Sequence, residues 1–407
     1  MDLGIDRIGA WPGTLSLDVG ALAEARGADP DAVRAAYLAD ERAVLAPWED
    51  PVTLAVNAAR SALDPEDLER VELLLVASET SVDREKPLST WVHRYLGLRP
   101  DCRNLEVKHA CYGATGALSL ALAWLASPLW RGGKVLVINT DNGLLGIGQP
   151  YEYVLGAGAA AVLVARDPAL LRIEHQWTGV HANEITDVMR PTARIETGNG
   201  EASLYSYLEA LAGAWDRYAA AAAPADLDAH FAQQVFHMPF AGMAQRAHRS
   251  WLGLNGRYGK ADVADHFSRC TLPSLRYTRR LGGTYGASTF LGLLGALDTP
   301  GALAAGDRVG VFAFGAGSCA EFYSGIVASG AHEAARRVDA ASLLGRRLGV
   351  SVPEYEAAER ERHESIGVPH YAPTRDGLQS AYRERIEGSG QLILEGVQDY
   401  VRVYGWA

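Results

Sequence analysis

Cysteine is scarce in this sequence, and the few residues present do not form a disulfide framework. Only four occur in 407 residues, and none lies in a Cys-x-x-Cys pair. A small scaffold held together by disulfides is therefore excluded, and reduced thiols in a cytoplasm are the expected state. The four cysteines are Cys102, Cys111, Cys270 and Cys319.

Long apolar runs are also missing, and positive charge is in the minority. The most apolar stretch, residues 114–127, is too short to span a bilayer. The N-terminal residues MDLGIDRIGAWPG have no apolar core, so we expect no signal peptide and no membrane segment. Lysine and arginine total 38 against 49 acidic residues, a net charge of −11. So acidic a chain is not expected to bind nucleic acid, although it can carry a local basic patch.

The motifs of metal and nucleotide sites are absent as well. The eleven histidines show no HExxH or similar ligand spacing. No GxGxxG pattern follows a strand and opens a helix, and no Walker A pattern occurs. We therefore expect neither a bound metal nor a nucleotide cofactor.

Short apolar strand patterns alternate with alanine-rich helical patterns, which is typical of an α/β fold. A helix is predicted at residues 201–223 and a loop at 179–191. The composition, 48% apolar and 21% charged, is that of a globular protein. Strands are predicted at 71–78, 134–141, 159–167, 233–240 and 307–318.

Two of these units share a layout in which a strand runs into a tight turn and then into a helix. One turn contains Cys111, and the other contains Ser318, with a helix predicted to begin near Glu321. The shared layout suggests an internal duplication of a half-domain. Turn residues are densest between about 167 and 200, which is where we expect the boundary.

Three residues stand where chemistry is expected. Cys111 precedes an apolar helix, whose free N–H groups and dipole would stabilise a thiolate and lower the pKa of the thiol. Glu79 follows a strand end, where burial would raise the pKa of a carboxyl group toward the range of a general base. His237 follows another strand between apolar neighbours, and a neutral imidazole there can polarise a carbonyl. Taken singly, Glu79 is more often a solvated loop residue and His237 more often a core histidine, whereas Cys111 is equally explained as a buried structural cysteine.

These three residues, in this order, resemble the hydroxymethylglutaryl-CoA synthase family of the thiolase superfamily. The resemblance is collinear over nearly the whole chain. It implies the thiolase-like α/β fold, five αβαβα layers built from two similar halves, and a homodimer. The segments that carry it are ASETSVD (77–83), KHACYGATGALSLA (108–121), FHMPFAGM (236–243), YGASTFLGLL (285–294), FGAGSCAEFYSG (314–325) and GSGQLILEGVQDYVRVYGWA (388–407).

The resemblance extends to the branch of the family that acts on acyl carrier proteins in polyketide β-branching. WEDPVTLAVNAA (48–59), RPTARIETGNGEASLYSYL (190–208) and HMPFAGMAQRAHR (237–249) look like that branch. The lysines that are associated with CoA binding in the primary-metabolism branch are absent after HMPF. Arg246, His248 and Arg249 stand there instead. They form either a solvated helix face or a small basic patch for an acidic carrier protein and its phosphopantetheine phosphate.

The resemblance implies an aldol-type condensation. Cys111 would take an acetyl group from a donor carrier protein, and the N–H groups of Cys111 and Ser318 would hold the thioester oxygen. Glu79 would remove a methyl proton, and the enolate would attack the β-ketone of a chain on an acceptor carrier protein of a polyketide synthase. His237 would polarise that ketone, and water would finally cleave the Cys111 thioester. No cofactor is implied beyond the phosphopantetheine arm of the carrier, or CoA.

The family also implies a division of the chain and a set of supporting residues. The first half would be residues 1–170, with Glu79 and Cys111, and the second would be 171–407, with His237 and Ser318. The residues predicted to support the site are Tyr112, Asp141 and Asp187.

One position departs from the family. Gly282-Gly283 stands where the family has Gly-Asn, so a side-chain donor to the acyl oxygen is missing. Thr284 or a water could replace the donor, or the pocket could be enlarged for a bulkier donor or acceptor. Gly283 could also be a turn glycine displaced by one residue.

Several other functions stay open on the sequence alone. The closest is a CoA-dependent hydroxymethylglutaryl-CoA synthase of the mevalonate pathway. A thiolase-fold acyltransferase or ketosynthase would need the cysteine but not Glu79. An inactive thiolase-like partner protein and a Cys-His hydrolase are further alternatives. The sequence does not identify the donor acyl group, the acceptor chain or the cognate carrier proteins.

Overall fold

The computed structural model describes residues 1–144 and 146–407, which alternate between strands and helices as an α/β fold requires. Short 3₁₀ helices lie at Glu152–Val154, Leu272–Leu275 and Thr278–Arg280. The strands are β1 Leu3–Trp11, β2 Leu15–Asp18, β3 Glu41–Val44, β4 Val71–Ala77, β5 Arg103–Val107, β6 Lys134–Asn142, β7 Ala157–Arg166, β8 Leu171–Ile173, β9 Gly179–Ala182, β10 Val188–Thr192, β11 Ile195–Gly198, β12 Gln233–Phe236, β13 Arg308–Gly315, β14 Cys319–Val327, β15 Leu348–Gly349, β16 His370–Tyr371, β17 Leu392–Gln398 and β18 Val401–Trp406. The helices are α1 Val19–Ala25, α2 Pro30–Tyr37, α3 Pro51–Arg60, α4 Pro65–Glu69, α5 Leu88–Tyr95, α6 Gly113–Ala126, α7 Gly200–Ala222, α8 Leu227–His230, α9 Ala241–Leu254, α10 Lys260–Cys270, α11 Ala287–Leu297, α12 Ala331–Arg336, α13 Ala340–Gly345, α14 Val352–Glu364 and α15 Gln379–Arg385.

A mixed sheet of ten strands organises the described residues. Its order is β12-β13-β14-β8-β1-β7-β6-β4-β5, and β9 pairs with β14 beside this path. Strand β4 runs parallel to both β5 and β6, whereas β7 runs antiparallel to β6 and β1. At the other end β12 is parallel to β13, and β13 is antiparallel to β14.

The inner strands are buried along their whole length because helices cover both faces of the sheet. Every residue of β4 and β6 is buried, and so is every residue of β7 except the last. Helix α11 packs among these strands and is buried at all of its residues. A strand covered on both faces reads as a continuous apolar run rather than an alternating one, which is why the sequence located these strands.

Each of the predicted site residues follows the end of a strand. Glu79 follows β4, Cys111 lies between β5 and α6, and His237 comes directly after β12. Because β4 and β5 are parallel neighbours, their carboxyl ends lie together.

Two local predictions are wrong. No helix begins near Glu321, because β13 turns directly into β14, and the two strands pair from Gly315↔Cys319 to Arg308↔Ile326. The aromatic and β-branched residues of β14 favour this pairing. Residues 179–191 are not all loop, since β9 pairs with the free side of β14 and β10 begins at Val188. Both strands depend on partners distant in the sequence, which a local pattern does not reveal.

The predicted division at residue 170 falls between β7 and β8. Hydrogen bonds cross it, because β8 pairs with β1 of the first half and β14 of the second. One apolar core also contains residues from both sides, such as Leu75 and Leu294. The division into two halves therefore stays a prediction. Among the described residues, no helix combines the length and apolar character needed to cross a membrane.

Candidate active site

The thiol of Cys111 and the carboxyl group of Glu79 are in direct contact. Cys111 Sγ donates to Glu79 Oε1 at 3.1 Å. The turn that presents the thiol is closed by the N–H groups of Tyr112 and Gly113, which both donate to the carbonyl of His109. The structure thus brings together two residues that lie 32 positions apart in the chain. This is the geometry that a nucleophile and its base require.

Burial dominates the electrostatics of this pair. It raises the pKa of Glu79 to about 8, with Asp141 adding a like charge, while the bond from Cys111 and the nearby Arg190 act in the opposite direction. Burial and the Glu79 carboxylate raise the pKa of the Cys111 thiol well above its ordinary value. The predicted lowering of this pKa is wrong, because burial beside a carboxylate outweighs the helix dipole. Cys111 must therefore give up its proton as it attacks, and Glu79 is the base in contact.

Asp141, predicted to support the site, fixes the loop that carries Glu79. Its Oδ1 accepts from the N–H groups of Glu79 at 2.8 Å and Thr80 at 3.1 Å, and from the hydroxyls of Ser78 and Thr80. Its Oδ2 accepts from Asn139 Nδ2 at 2.7 Å. Burial raises the pKa of Asp141 to about 6, although these hydrogen bonds oppose the rise. The loop is held by one side chain at the end of β6.

His237 lies on another side of the same cavity and is neutral. Burial lowers its pKa to about 3, as its apolar neighbours predict. Its Nδ1 lies 2.8 Å from Ser288 Oγ, and its carbonyl accepts from the Tyr207 hydroxyl at 2.6 Å. Because Nδ1 is engaged by Ser288, Nε2 is the ring nitrogen that can serve a ligand in the cavity.

A cavity of about 370 Å³ connects the three residues. Its walls are mostly aromatic and aliphatic, which suits an acyl chain and excludes water from the reacting groups. Glu196 and Arg246 are charged residues that also border it. The apolar side chains that line it include Val154, Leu155, Leu204, Phe240, Met243 and Phe314.

The turn after β13 reaches this cavity through Ala316 and not through Ser318. Ala316 lines the cavity, whereas Ser318 exchanges two hydrogen bonds with Asn183, its N–H donating at 3.2 Å and its carbonyl accepting at 3.0 Å. The prediction that the N–H of Ser318 holds the thioester oxygen is therefore wrong, because that N–H is already bonded. Asp187, predicted to support the site, holds the same turn, since its Oδ1 accepts from the Gly317 N–H at 2.9 Å.

Tyr112, the third predicted supporting residue, faces a different groove. Its hydroxyl donates to Glu321 Oε2 at 2.8 Å, and both residues line that second groove. Burial raises the pKa of Glu321 above its ordinary value. Tyr112 thus ties the turn of Cys111 to β14 and does not border the acyl cavity.

The predicted basic patch on α9 contains two residues rather than three. Arg246 and Arg249 are exposed and, three positions apart, share one face of the helix. His248 is fully buried, with Nε2 3.1 Å from His266 Nδ1 and Nδ1 2.8 Å from Thr271 Oγ1. The prediction is wrong for His248, because the helical period turns it toward the core.

Gly283 borders the cavity at a point where no side chain fits. A Cβ there would lie 2.8 Å from the carbonyl oxygen of Pro239 and 3.2 Å from that of Val154. The Gly283 N–H also donates to the Val154 carbonyl at 2.7 Å. The missing side-chain donor is thus part of how this loop packs. Thr284 does not replace it, since Thr284 is buried and is not among the residues that line the cavity.

One cluster outside the cavity brings metal-ligating atoms together within the described residues. Asp228, His266 and Cys270 place one such atom each within 4.8 Å of the others. Arg257 Nη1, however, already donates to both oxygens of Asp228, at 3.1 and 3.2 Å. His266 Nε2 lies 2.8 Å from the same carboxylate. Because the carboxylate is occupied, we assign no metal to this cluster.

Sequence reasoning missed several residues that border or support the cavity. Ser288 and Tyr207 orient His237, and Arg190 donates to the Glu79 carbonyl at 3.3 Å and pairs with Glu196. Arg190, Glu196 and Tyr207 belong to the family-like segment 190–208, which was the only signal available. Their roles depend on contacts that the segment itself does not contain.

Family models and curated proteins point to the same protein family. Residues 49–169 match the model of the hydroxymethylglutaryl-coenzyme A synthase N terminal region, and residues 259–386 match that of its C terminal region. The polyketide biosynthesis 3-hydroxy-3-methylglutaryl-ACP synthase PksG of Bacillus subtilis is 33% identical over 99% of both chains. The hydroxymethylglutaryl-CoA synthase of Enterococcus faecalis is 33% identical over 88% of this chain and 91% of its own.

Solved structures show the same relationship. The curacin biosynthetic pathway HMG synthase in complex with acetyl donor-ACP has a TM-score of 0.94 and 32% identity, covering 100% of both chains. MvaS in complex with 3-hydroxy-3-methylglutaryl coenzyme A has a TM-score of 0.87 and 31% identity, covering 100% of this chain and 99% of its own. The thiolase-like fold is thereby confirmed. This chain belongs to the hydroxymethylglutaryl-CoA synthase family.

Proposed function

We propose that this protein is a condensing acyltransferase that installs a β-branch on a carrier-bound polyketide. The observation that carries the proposal is the 3.1 Å contact between Cys111 Sγ and Glu79 Oε1, in a cavity that His237 also lines. A thiol can form a transient thioester, a carboxyl group can move the α-proton, and a neutral imidazole can activate a ketone.

In the first step Cys111 accepts an acetyl group from the donor thioester. Sγ attacks the carbonyl carbon while Glu79 takes the thiol proton. The bond to the phosphopantetheine sulfur then breaks, and that sulfur leaves with the proton. The N–H groups of Cys111 and Ala316 are the candidate donors to the thioester oxygen, because both residues border the cavity.

In the second step Glu79 removes a proton from the acetyl methyl group. The resulting enolate carbon attacks the β-ketone of the acceptor, whose oxygen accepts a hydrogen bond from His237 Nε2–H. Glu79 then returns the proton to the new alkoxide, and water cleaves the Cys111 thioester to leave a carboxymethyl branch. A pKa of about 8 for Glu79 suits a group that both takes and gives a proton near neutral pH.

A carrier protein is the proposed source of the acyl group, delivered on its phosphopantetheine arm. The structure is more similar to the synthase solved with a donor ACP, at a TM-score of 0.94, than to MvaS, at 0.87. Arg246 borders the cavity, and with Arg249 it offers two exposed cations to an acidic carrier and its phosphate. A CoA-dependent synthase is the less supported alternative, although the two relatives are equally identical in sequence.

A homodimer is the proposed assembly, and an acceptor carrier protein is the proposed second partner. Strand β5 forms the edge of the sheet, and Leu105 on it is 57% exposed. Leu120 on the adjoining α6 is 55% exposed. An exposed leucine on an unpaired sheet edge, next to an exposed leucine on the adjoining helix, suits contact with a second copy. Light scattering of the purified protein tests this assembly.

Intact-protein mass spectrometry tests the function. The enzyme is mixed with acetyl-carrier protein or with acetyl-CoA, beside the variants Cys111→Ala and Cys319→Ala. We expect one acetyl group that requires Cys111, persists in Cys319→Ala and forms much faster from the carrier. Equal or faster acetylation from CoA would favour the mevalonate alternative. Absence of acetylation from both donors would contradict the proposal for acetyl transfer.

A further inference from the structure

The hairpin of β10 and β11 carries an ion pair that contacts the main chain of the catalytic glutamate. These strands pair with each other and with no other strand of the described residues, and most of their residues are exposed. Arg190 is an exception, with a side chain only 16% exposed. Its Nη1 donates to the Glu79 carbonyl at 3.3 Å, and its guanidinium pairs with Glu196 across the hairpin. Glu196 in turn borders the cavity that Glu79 and Cys111 line.

A second arginine also anchors the hairpin. Arg194, near the hairpin turn, donates to the carbonyl of Ile366 at 3.0 Å and to that of Glu364 at 3.2 Å. The ion pair of Arg190 and Glu196 is therefore available for a role at Glu79, whose carbonyl Arg190 contacts.

We propose that Arg190 is a positioning residue that keeps Glu79 available as a base, and that Glu196 limits this effect. The inference rests on the proposed function of Glu79. A cation near a buried carboxyl group favours the carboxylate, and an anion opposes it. Arg190 contacts the Glu79 main chain, and the attraction between its charge and the Glu79 carboxylate exceeds the repulsion from Glu196.

The other cations near Glu79 are less suited to stabilise its carboxylate than Arg190 is. Glu79 also borders a second cavity whose cations include Arg362 and Arg402, but Arg362 pairs with Glu359 and Arg402 pairs with Asp50. A third cation of this second cavity, Arg84, is exposed, so solvent screens its charge, and the remaining charged residues there are Glu49, Asp83 and His363. The titratable groups that face Glu79 from the elements packed around it are Asp141, Cys111, His237, Tyr285, Arg190 and Glu196.

Removing Arg190 and removing Glu196 should shift the pKa of Glu79 in opposite directions. Arg190→Gln removes the cation and leaves Glu196 unpaired, so both changes raise the pKa of Glu79. The base is then less ionised at neutral pH, and condensation slows there but recovers at alkaline pH. Glu196→Gln removes the opposing anion, lowers the pKa of Glu79 and moves the rising limb of the pH profile toward acid. A merely structural hairpin contact would slow the enzyme by one factor at all pH values.

Single-turnover condensation by acetylated enzyme, measured from about pH 6 to about pH 9.5, tests the proposal. If the rising limb of the pH–rate profile of Arg190→Gln moves by one pH unit toward alkaline pH, we expect the rate at pH 7 to fall about tenfold. Arg190→Lys keeps the positive charge, so the rising limb of its pH–rate profile should lie where it lies in the wild-type enzyme. Arg194→Gln removes a contact of the hairpin with Ile366 and Glu364, not with Glu79, and should leave the limb at the same pH.

The outcomes separate this inference from the proposed function. Wild-type enzyme that takes up no acetyl group would undermine the proposed function itself. Wild-type enzyme that condenses normally, with the limb unmoved in Arg190→Gln, would overturn only the role of Arg190. A shift of both Gln variants in the same direction would overturn it too. If circular dichroism shows that Arg190→Gln is unfolded, Arg190→Lys and Glu196→Gln decide the matter.

Discussion

The replacement Glu79→Gln separates the proposed condensation from the other chemistry that a thiolase-like cysteine can perform. The amide has nearly the same shape and can still accept the hydrogen bond that Cys111 Sγ donates at 3.1 Å. It cannot take a proton. A positioned general base typically contributes about 10²- to 10⁴-fold, so we expect condensation to fall by that factor. This corresponds to about 3–5 kcal/mol of transition-state stabilisation.

Proton removal from the acetyl group can be observed without the acceptor. Enzyme acetylated on Cys111 is transferred to D₂O, and the mass of the acetyl group is followed. Wild-type enzyme should exchange its methyl hydrogens, faster as the pH rises toward about 8 because the Glu79 carboxylate is the active form. Glu79→Gln should be acetylated more slowly, because Glu79 also takes the Cys111 proton, but once loaded it should retain the acetyl group without exchange. Glu106→Gln, a half-buried glutamate outside the site, is the matched control and should behave as wild type.

Two results would refute this reasoning. Exchange in Glu79→Gln at the wild-type rate would mean that another group removes the proton. Condensation within about threefold of wild type would mean that Glu79 is not the base, and the acyltransferase or ketosynthase alternatives would gain. Both results depend on the acetyl group being present, which mass spectrometry verifies in the same sample.

Three further predictions concern the walls and supports of the cavity. Gly283→Ala places a Cβ 2.8 Å from a carbonyl oxygen and should lower the free energy of unfolding by about 1–3 kcal/mol, measured by chemical denaturation; unchanged stability would show that the loop yields freely. Arg246→Glu with Arg249→Glu should slow acetylation from the carrier protein but not from a small acetyl thioester, and equal slowing would place these arginines outside carrier binding. Ser288→Ala removes the partner of His237 Nδ1 and should slow condensation while acetylation persists. An equal loss in both steps would contradict the idea that His237 acts only on the ketone of the acceptor.

The sequence by itself determined the class of fold and the three central residues. Strands covered on both faces are continuous apolar runs, so β4, β6 and β7 could be located from local composition. Glu79, Cys111 and His237 each follow a strand end, where α/β sheets gather reactive groups. The neutral state of His237 was also predictable, because its immediate neighbours in the chain are apolar.

Tertiary structure decided which groups are free to act and how they ionise. Ser318 could not be distinguished from Ala316 by sequence, because only the contact with Asn183 shows which N–H is already bonded. His248 is buried by the packing of α9, and the pKa of the Cys111 thiol is raised by burial and by a carboxylate 32 residues away. These properties depend on desolvation and on partners distant in the chain. Local sequence patterns determine elements, whereas hydrogen-bond partners and pKa values follow from the assembled three-dimensional surroundings.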